Sequence, residues 1–240
     1  ERRDFTINAM AYNDNRGLVD EFGGIKDLKD GIIRCVGDAG QRFDEDALRM
    51  LRAVRFAGQL GFAIEEKTRE AIVERADHLK NISAERIRVE LTKLLVSKEA
   101  GRIRDAYKTG MTKYFLPELD AAMQTEQKNP HHIYTVGEHS ICGIELMNCF
   151  FGITSDEKIY DKIPENVLET AKKLAAKMDK KQQTVLCMTM LLHDIAKPAV
   201  MTVDEKGIGH FIGHPAQSEK MAKKIMRRLT FDNDSISKAC

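Results

Sequence analysis

The chain reads as a mainly α-helical protein that starts with a small strand-and-turn part, on three observations. Glycine, asparagine and aspartate turn signals crowd the first 36 residues. From residue 42 to residue 128 apolar residues recur at helical spacing. Further on, the run Val185 to Leu192, interrupted by Thr189, suits a buried helix and is far too short to span a membrane. With 240 residues and 42% hydrophobic content, length does not limit the core.

Taken in order, the alternation Phe5-Thr6-Ile7-Asn8 predicts a short strand, Asn13-Asp14-Asn15-Arg16-Gly17 a turn, and Gly31-Ile32-Ile33-Arg34-Cys35-Val36 another strand. Helices are expected near 44–60, 66–77, 84–97 and 99–109, with a break near Leu116-Pro117-Glu118-Leu119. The end of the strand-and-turn pattern near residue 36 and the boundary signal Asn129-Pro130 divide the chain into domains 1–36, 37–128 and 129–240. No internal repeat or low-complexity segment is visible.

The stretch Glu45-Asp46-Ala47-Leu48-Arg49-Met50-Leu51-Arg52 carries the chemistry of the first half. On one helix Asp46, Arg49 and Arg52 share a side, while Ala47, Met50, Leu51, Val54 and Ala57 form an apolar stripe elsewhere. A carboxylate only accepts hydrogen bonds and a guanidinium only donates them. Cytosine and adenine fit that pair, offering an exocyclic amine to Asp46 and a ring-nitrogen acceptor to Arg49. Guanine and uracil present a carbonyl and a ring N–H in the opposite order, and each unpaired buried group costs roughly 1–3 kcal/mol. By itself the pair also fits a solvated helix face, where it contributes about 0.2–0.5 kcal/mol.

Three more blocks keep this one company: Arg2-Arg3-Asp4-Phe5-Thr6-Ile7-Asn8-Ala9-Met10-Ala11, Asp20-Glu21-Phe22-Gly23-Gly24-Ile25-Lys26-Asp27-Leu28 and Ala84-Glu85-Arg86-Ile87-Arg88-Val89-Glu90-Leu91. In this order they closely resemble class II tRNA nucleotidyltransferases, the CCA-adding enzymes, and the related bacterial poly(A) polymerases. The resemblance implies the remnant of an α/β nucleotidyltransferase head, then an all-helical neck and body. It implies that Arg3, Asp4 and Asn8 face the sugar or phosphates of a nucleotide whose base is met by Asp46, Arg49 and Arg52. Gly23-Gly24 would be a hinge, and Arg86 and Glu90, paired at i,i+4 behind a Ser83 N-cap, would prop the base-reading helix.

The implied reaction moves CMP or AMP from CTP or ATP to the 3′ end of a tRNA or another RNA. Pyrophosphate leaves, and two Mg²⁺ ions stabilise the displacement. In that family the Mg²⁺ ligands are a DxD pair preceding the Arg-Arg-Asp block, next to a glycine-rich loop. The chain opens at Glu1, directly before that block, so it is expected to lack these carboxylates and not to turn over alone. Asp44-Glu45-Asp46 and Asp232-Asn233-Asp234 do not stand in that context. Partial CC or A addition and poly(A) synthesis remain alternatives.

Beyond the boundary, His139 and the adjacent His193-Asp194, at the end of an apolar helix from Val185 to Ala196, form a second constellation. A buried carboxylate beside an imidazole must be paired or must bind metal. The arrangement resembles the HD domain, a helical metal-phosphohydrolase fold, which implies that His139, His193 and Asp194 ligate a divalent metal. His210 or His214 would add a contact, and metal-dependent phosphohydrolysis is an alternative function. An HD site usually takes a last Asp from a later helix, and Asp232 and Asp234 follow His214 too closely, so the site is expected to be incomplete. His131-His132 reads as a boundary cap or a solvated pair.

A net charge of +1 excludes RNA affinity from bulk positive potential. Contact with RNA must be local, for which the basic stretch from Glu85 to Lys113 is the candidate. Cysteines 35, 142, 149, 187 and 240 show no CxxC or disulfide-framework spacing, as expected of reduced thiols in a cytoplasmic protein. A chain that opens inside a motif shows no signal peptide. The expected partners are RNA, CTP and ATP, with no membrane and no DNA.

Overall fold

The computed structural model describes residues 3–128, 133–154 and 163–240, and it is mainly helical. The chain forms two compact units, one of residues 1–94 and 102–115 and one of residues 95–101 and 116–240. The boundary residues Asn129-Pro130 and the pair His131-His132 lie outside the described residues.

In the first unit the expected turn at Asn13–Gly17 joins β1 (Ala11–Asn13) to β2 (Gly17–Val19) as an antiparallel hairpin. The expected strand at 5–8 is instead a bridge from Phe5 to Cys35 followed by a 3-10 turn, Thr6–Asn8. Local side chains compete there with the sheet: Asp4 Oδ1 accepts from the Phe5 N–H at 2.9 Å and from Asn8 Nδ2 at 3.1 Å. The strand at 31–36 shortens to β3 (Ile32–Ile33), which pairs in parallel with β4 (Ala63–Ile64).

Gly23 and Gly24 have different tasks. Gly23 takes a left-handed φ of +75° just before α1 (Gly24–Asp30), while Asp20 accepts from the Gly24 and Ile25 N–H groups at 2.7 and 2.9 Å. A Cβ on Gly24 would lie 2.3 Å from the Thr6 carbonyl oxygen, a backbone atom that cannot turn aside. Gly24→Ala is therefore expected to destabilise the first unit by about 1–3 kcal/mol, read as a lowered urea midpoint at unchanged slope.

The helix expected at 44–60 is two helices, α2 (Ala39–Glu45) and α3 (Leu48–Leu60). Asp46 sits between them in extended backbone, φ −155° and ψ 100°, and its Oδ1 accepts the Leu48 N–H at 3.2 Å. A short polar side chain that bonds the backbone two residues on competes with helix, so the break falls at the acidic residue. The apolar stripe is as read: Ala47, Met50, Leu51, Val54 and Ala57 are all buried. α4 (Glu66–Arg75) runs into a 3-10 stretch, and α5 (Ala84–Leu95) and α6 (Ile103–Lys108) follow. Fully buried Phe5, Ile33, Phe43, Ile72, Leu91 and Met111 fill the core around α3.

The second unit holds α7 (Pro117–Gln124), α8 (Val136–Phe150), α9 (Glu165–Ala175) and α10 (Lys180–Leu192). After them come α11 (Lys197–Val200), the hairpin β5 (Thr202–Val203) and β6 (Gly209–His210), α12 (His214–Arg228) and α13 (Asn233–Ala239). Pro117 opens α7 at a position where its missing N–H is not needed. Helix α8 packs against α7 and α10 through buried Val136, Ile141, Ile144, Cys187, Met188 and Leu191. Its buried Asn148 donates to the Leu95 and Ser97 carbonyls at 2.9 and 3.2 Å. Cys35, Cys187 and Cys240 carry free thiols, and among the described residues no helix is long and apolar enough to cross a membrane.

Candidate nucleotide cleft and metal-ligand cluster

An open cleft of about 560 Å³ in the first unit is lined by Arg3, Asp4, Asn8, Asp46, Arg49 and Arg52, joined by Leu48, Phe56 and Arg86. Residues from the start of the chain and from the α2–α3 junction thus meet at one surface. Asp46 reaches it from the break between helices, not from a helix face as expected. Its carboxylate is held by the Leu48 N–H at the start of α3 and by Arg86, whose Nη2 lies 2.7 Å from Asp46 Oδ2.

The guanidinium of Arg49 donates to Glu45 Oε2 at 2.6 Å and to the Arg42 carbonyl at 3.1 Å. That bond, with burial opposing it and the charges of Arg42 and Arg49 adding to it, holds the Glu45 carboxyl below its ordinary range. Acceptor and donor are thus each braced by a partner of their own, Arg86 for Asp46 and Glu45 for Arg49. The expected Arg86–Glu90 pair does not form. Glu90 faces inward and pairs with Arg55, both almost fully buried, and Arg86 turns to Asp46.

Arg52 spans the cleft floor. It donates from Nε to Asp4 Oδ2 at 2.8 Å, and its Nη2 lies 2.6 Å from the same oxygen. Burial pushes the Asp4 carboxyl upward, but the hydrogen bonds from Asn8 and Arg52 and the Arg52 charge outweigh it and lower its pKa. Phe56, which the sequence reading missed, stacks under both arginines: its ring centre is 3.9 Å from the Arg55 guanidinium and 5.5 Å from that of Arg52. Phe5 meets the same ring edge-on at 5.8 Å. Its position, four residues after Arg52 and next to Arg55, was the available signal.

In the second unit Asp194 is the hub. Its Oδ2 lies 3.2 Å from His193 Nε2, 3.8 Å from His139 Nε2 and 2.8 Å from Lys197 Nζ, and its Oδ1 lies 3.4 Å from His214 Nε2. Ligand atoms of His139, His193 and Asp194 all fall within 4.8 Å of one another, the one such group among the described residues. His193 Nδ1 is 2.9 Å from the Met190 carbonyl and His214 Nδ1 is 2.7 Å from the Phe211 carbonyl. A carbonyl only accepts, so each Nδ1 carries a hydrogen, and each Nε2 donates to the Asp194 carboxylate when the ring is protonated or offers its lone pair to a metal when the ring is neutral. Two imidazole nitrogens and a carboxylate suit a divalent transition metal.

The bond to Asp194 raises the pKa of His193. Burial works against the Asp194 carboxylate, but His193 and Lys197 lower its pKa strongly. Lys197 was not singled out from the sequence although it stands at i+3 from Asp194. Nearly buried, it also donates to Gln127 Oε1 at 2.9 Å. His210 is not in the cluster: its Nε2 is 2.9 Å from Asp204 in the β5–β6 hairpin. Asp232 caps α13 and, with Asp234, pairs with Lys181.

Three family descriptions match the chain in order: the poly A polymerase head domain over residues 1–34, the probable RNA and SrmB-binding site of polymerase A over 61–123, and the HD domain over 164–240. The CCA-adding enzyme of Leuconostoc mesenteroides is 48% identical over 117 residues, covering 49% of this chain and 29% of that protein. That of Lactobacillus helveticus is 57% identical over 94 residues, 39% of this chain and 24% of the other. The chain thus matches about a quarter to a third of these relatives' length. Among solved structures, a tRNA-processing enzyme in apo form I aligns over 99% of this chain and 50% of its own, with a TM-score of 0.62 at 20% identity. A tRNA nucleotidyltransferase solved with a primer tRNA and an ATP analogue aligns over 80% and 48%, with a TM-score of 0.56 at 24% identity. These two likenesses concern the fold; by the ordered matches and the identity to curated relatives, the chain is similar in its successive parts to the poly A polymerase head, to the RNA-binding region of polymerase A, to CCA-adding enzymes and to HD domains.

Proposed function

We propose that the chain forms the nucleotide-selecting and RNA-facing part of an RNA nucleotidyltransferase of the cytoplasm, which adds CMP and AMP from CTP and ATP to the 3′ end of tRNA. The observation that carries this reading is the cleft itself. One carboxylate and one guanidinium, each braced by a separate partner, stand beside the Arg3, Asp4, Asn8 and Arg52 cluster. In this reading Asp46 accepts the exocyclic amine of cytosine or adenine on a lone pair that Arg86 and the Leu48 N–H leave open, and Arg49 donates to the ring nitrogen. Arg3 and Arg52 meet the phosphates, and Asp4 and Asn8 meet the sugar. The basic residues between Glu85 and Lys113 would face the RNA backbone.

Families of this kind use divalent metals, and Mg²⁺ would supply charge stabilisation at the reacting phosphate. Among the described residues, the cleft offers no group of three ligands for it, so the part assigned to these side chains is selection and orientation. CCA addition, partial addition and poly(A) synthesis would all use such a cleft. The reading is tested by titrating the chain with the four ribonucleoside triphosphates. CTP and ATP should bind at least about tenfold tighter than GTP and UTP, the ratio expected from one mispaired buried group. Equal affinity for all four would refute it.

A second reading, metal-dependent phosphohydrolysis, is favoured by the His139, His193 and Asp194 cluster. Manganese binding followed by equilibrium dialysis should weaken by at least about tenfold in His193→Ala, as the loss of one of three ligands requires. Binding unchanged by that substitution would remove the cluster from consideration as a metal site.

A further inference from the structure

A carboxylate offers about four acceptor positions, and at Asp4 all four are taken. Oδ1 accepts from the Phe5 N–H at 2.9 Å and from Asn8 Nδ2 at 3.1 Å, while Oδ2 lies 2.8 Å from Arg52 Nε and 2.6 Å from Arg52 Nη2. The Asp4 side chain is almost fully buried, whereas that of Arg52 is 34% exposed and lines the cleft. A ribose hydroxyl arriving at this carboxylate finds no lone pair until one of its present partners leaves.

We infer that Arg52 gates sugar recognition: Asp4 reads the ribose 2′-hydroxyl only after the nucleotide's phosphates have drawn Arg52 off Asp4 Oδ2. This rests on the assignment of Asp4 to the sugar made above and adds a condition to it. Of the present partners, Arg52 is the one a phosphate competes for. The Phe5 N–H is backbone, and the Asn8 amide is neutral. A guanidinium exchanges a carboxylate for a phosphate oxygen with little loss, because both accept the same two-pronged donor. The move needs no rearrangement of the core. The Phe56 ring, 5.5 Å from the Arg52 guanidinium, and Glu90, 4.0 Å from its Nη1, flank the group. The consequence is an order of events, phosphates first and sugar second, by which a nucleoside without phosphates is not screened for its 2′-hydroxyl.

The test compares two ratios on the intact chain by calorimetric titration: CTP against dCTP, and cytidine against 2′-deoxycytidine. The triphosphate pair should differ by about tenfold, as one hydrogen bond to a charged acceptor implies, and the nucleoside pair by less than about twofold. Asn8→Ala vacates a position on Oδ1 while keeping the Arg52 ion pair, and should open discrimination between the two nucleosides to several-fold. Equal ratios for both pairs in the unaltered chain overturn the gate. So does an Asn8→Ala variant that folds, judged by its circular dichroism, and still fails to separate the nucleosides. CTP against UTP, titrated alongside, reports base reading separately, so a loss there with the ribose ratios as stated would sink base selection and not the gate.

Discussion

Asp46→Ala and Arg49→Ala will each collapse the preference for CTP and ATP over GTP and UTP, while the chain keeps its fold. The expected loss is about 10- to 100-fold in the ratio of affinities for each substitution, corresponding to the roughly 1–3 kcal/mol that an unpaired buried hydrogen-bonding group costs. Asp46 should lie nearer the lower end, because its side chain is 28% exposed and water can reach a mispaired edge, whereas Arg49 at 13% is better shielded. Arg86→Ala is the informative companion. It leaves both reading groups in place but frees the Asp46 carboxylate, which is then held by the Leu48 N–H alone. Selectivity should fall part-way, with affinity for CTP falling less than in Asp46→Ala. Competition titrations with the four triphosphates measure all three, and a selectivity that survives Arg49→Ala intact would show that the base is read elsewhere.

The sequence carried the residue types of this cleft but not their partners. Periodicity located α3 and its buried stripe because Met50, Val54 and Ala57 obey one helical repeat, and burial follows the repeat. It missed the break at Asp46, since Glu45 to Arg52 has no glycine or proline and the interruption comes from a side-chain bond to the Leu48 N–H. It also paired Arg86 with Glu90 by the i,i+4 rule, where tertiary partners won. A carboxylate on the inner face of α5 is stabilised far more by the buried guanidinium of Arg55 than by a solvated neighbour one turn away. The pairing of His193 with Asp194 was more open to sequence reasoning, because an acidic residue next to a histidine at the end of an apolar helix leaves few alternatives to pairing. What stayed hidden there was Lys197, since nothing in its spacing tells a buried ammonium from an exposed one.

Removing one half of the Arg55–Glu90 pair will destabilise the first unit more than any other single change proposed for it. Both side chains are at or below 8% exposure, and Arg55 also donates to Gln59 Oε1. Glu90→Ala leaves a buried guanidinium with no counter-charge and should cost about 3–5 kcal/mol, a large fraction of the roughly 5–15 kcal/mol that holds a domain folded. Arg55→Met combined with Glu90→Leu removes both charges and fills most of the space, and should cost little or even stabilise, since the desolvation penalty of the pair disappears with it. Urea unfolding of Arg55→Met, Glu90→Leu and the double variant closes the cycle and gives the coupling. The double variant also separates stability from site geometry. Arg55 lies 3.9 Å from the centre of the Phe56 ring, and Phe56 lines the cleft beside Arg52. A stable protein with weakened CTP binding would mean that the buried pair is kept to hold Phe56 and Arg52 in register, whereas unchanged binding would confine its role to the core.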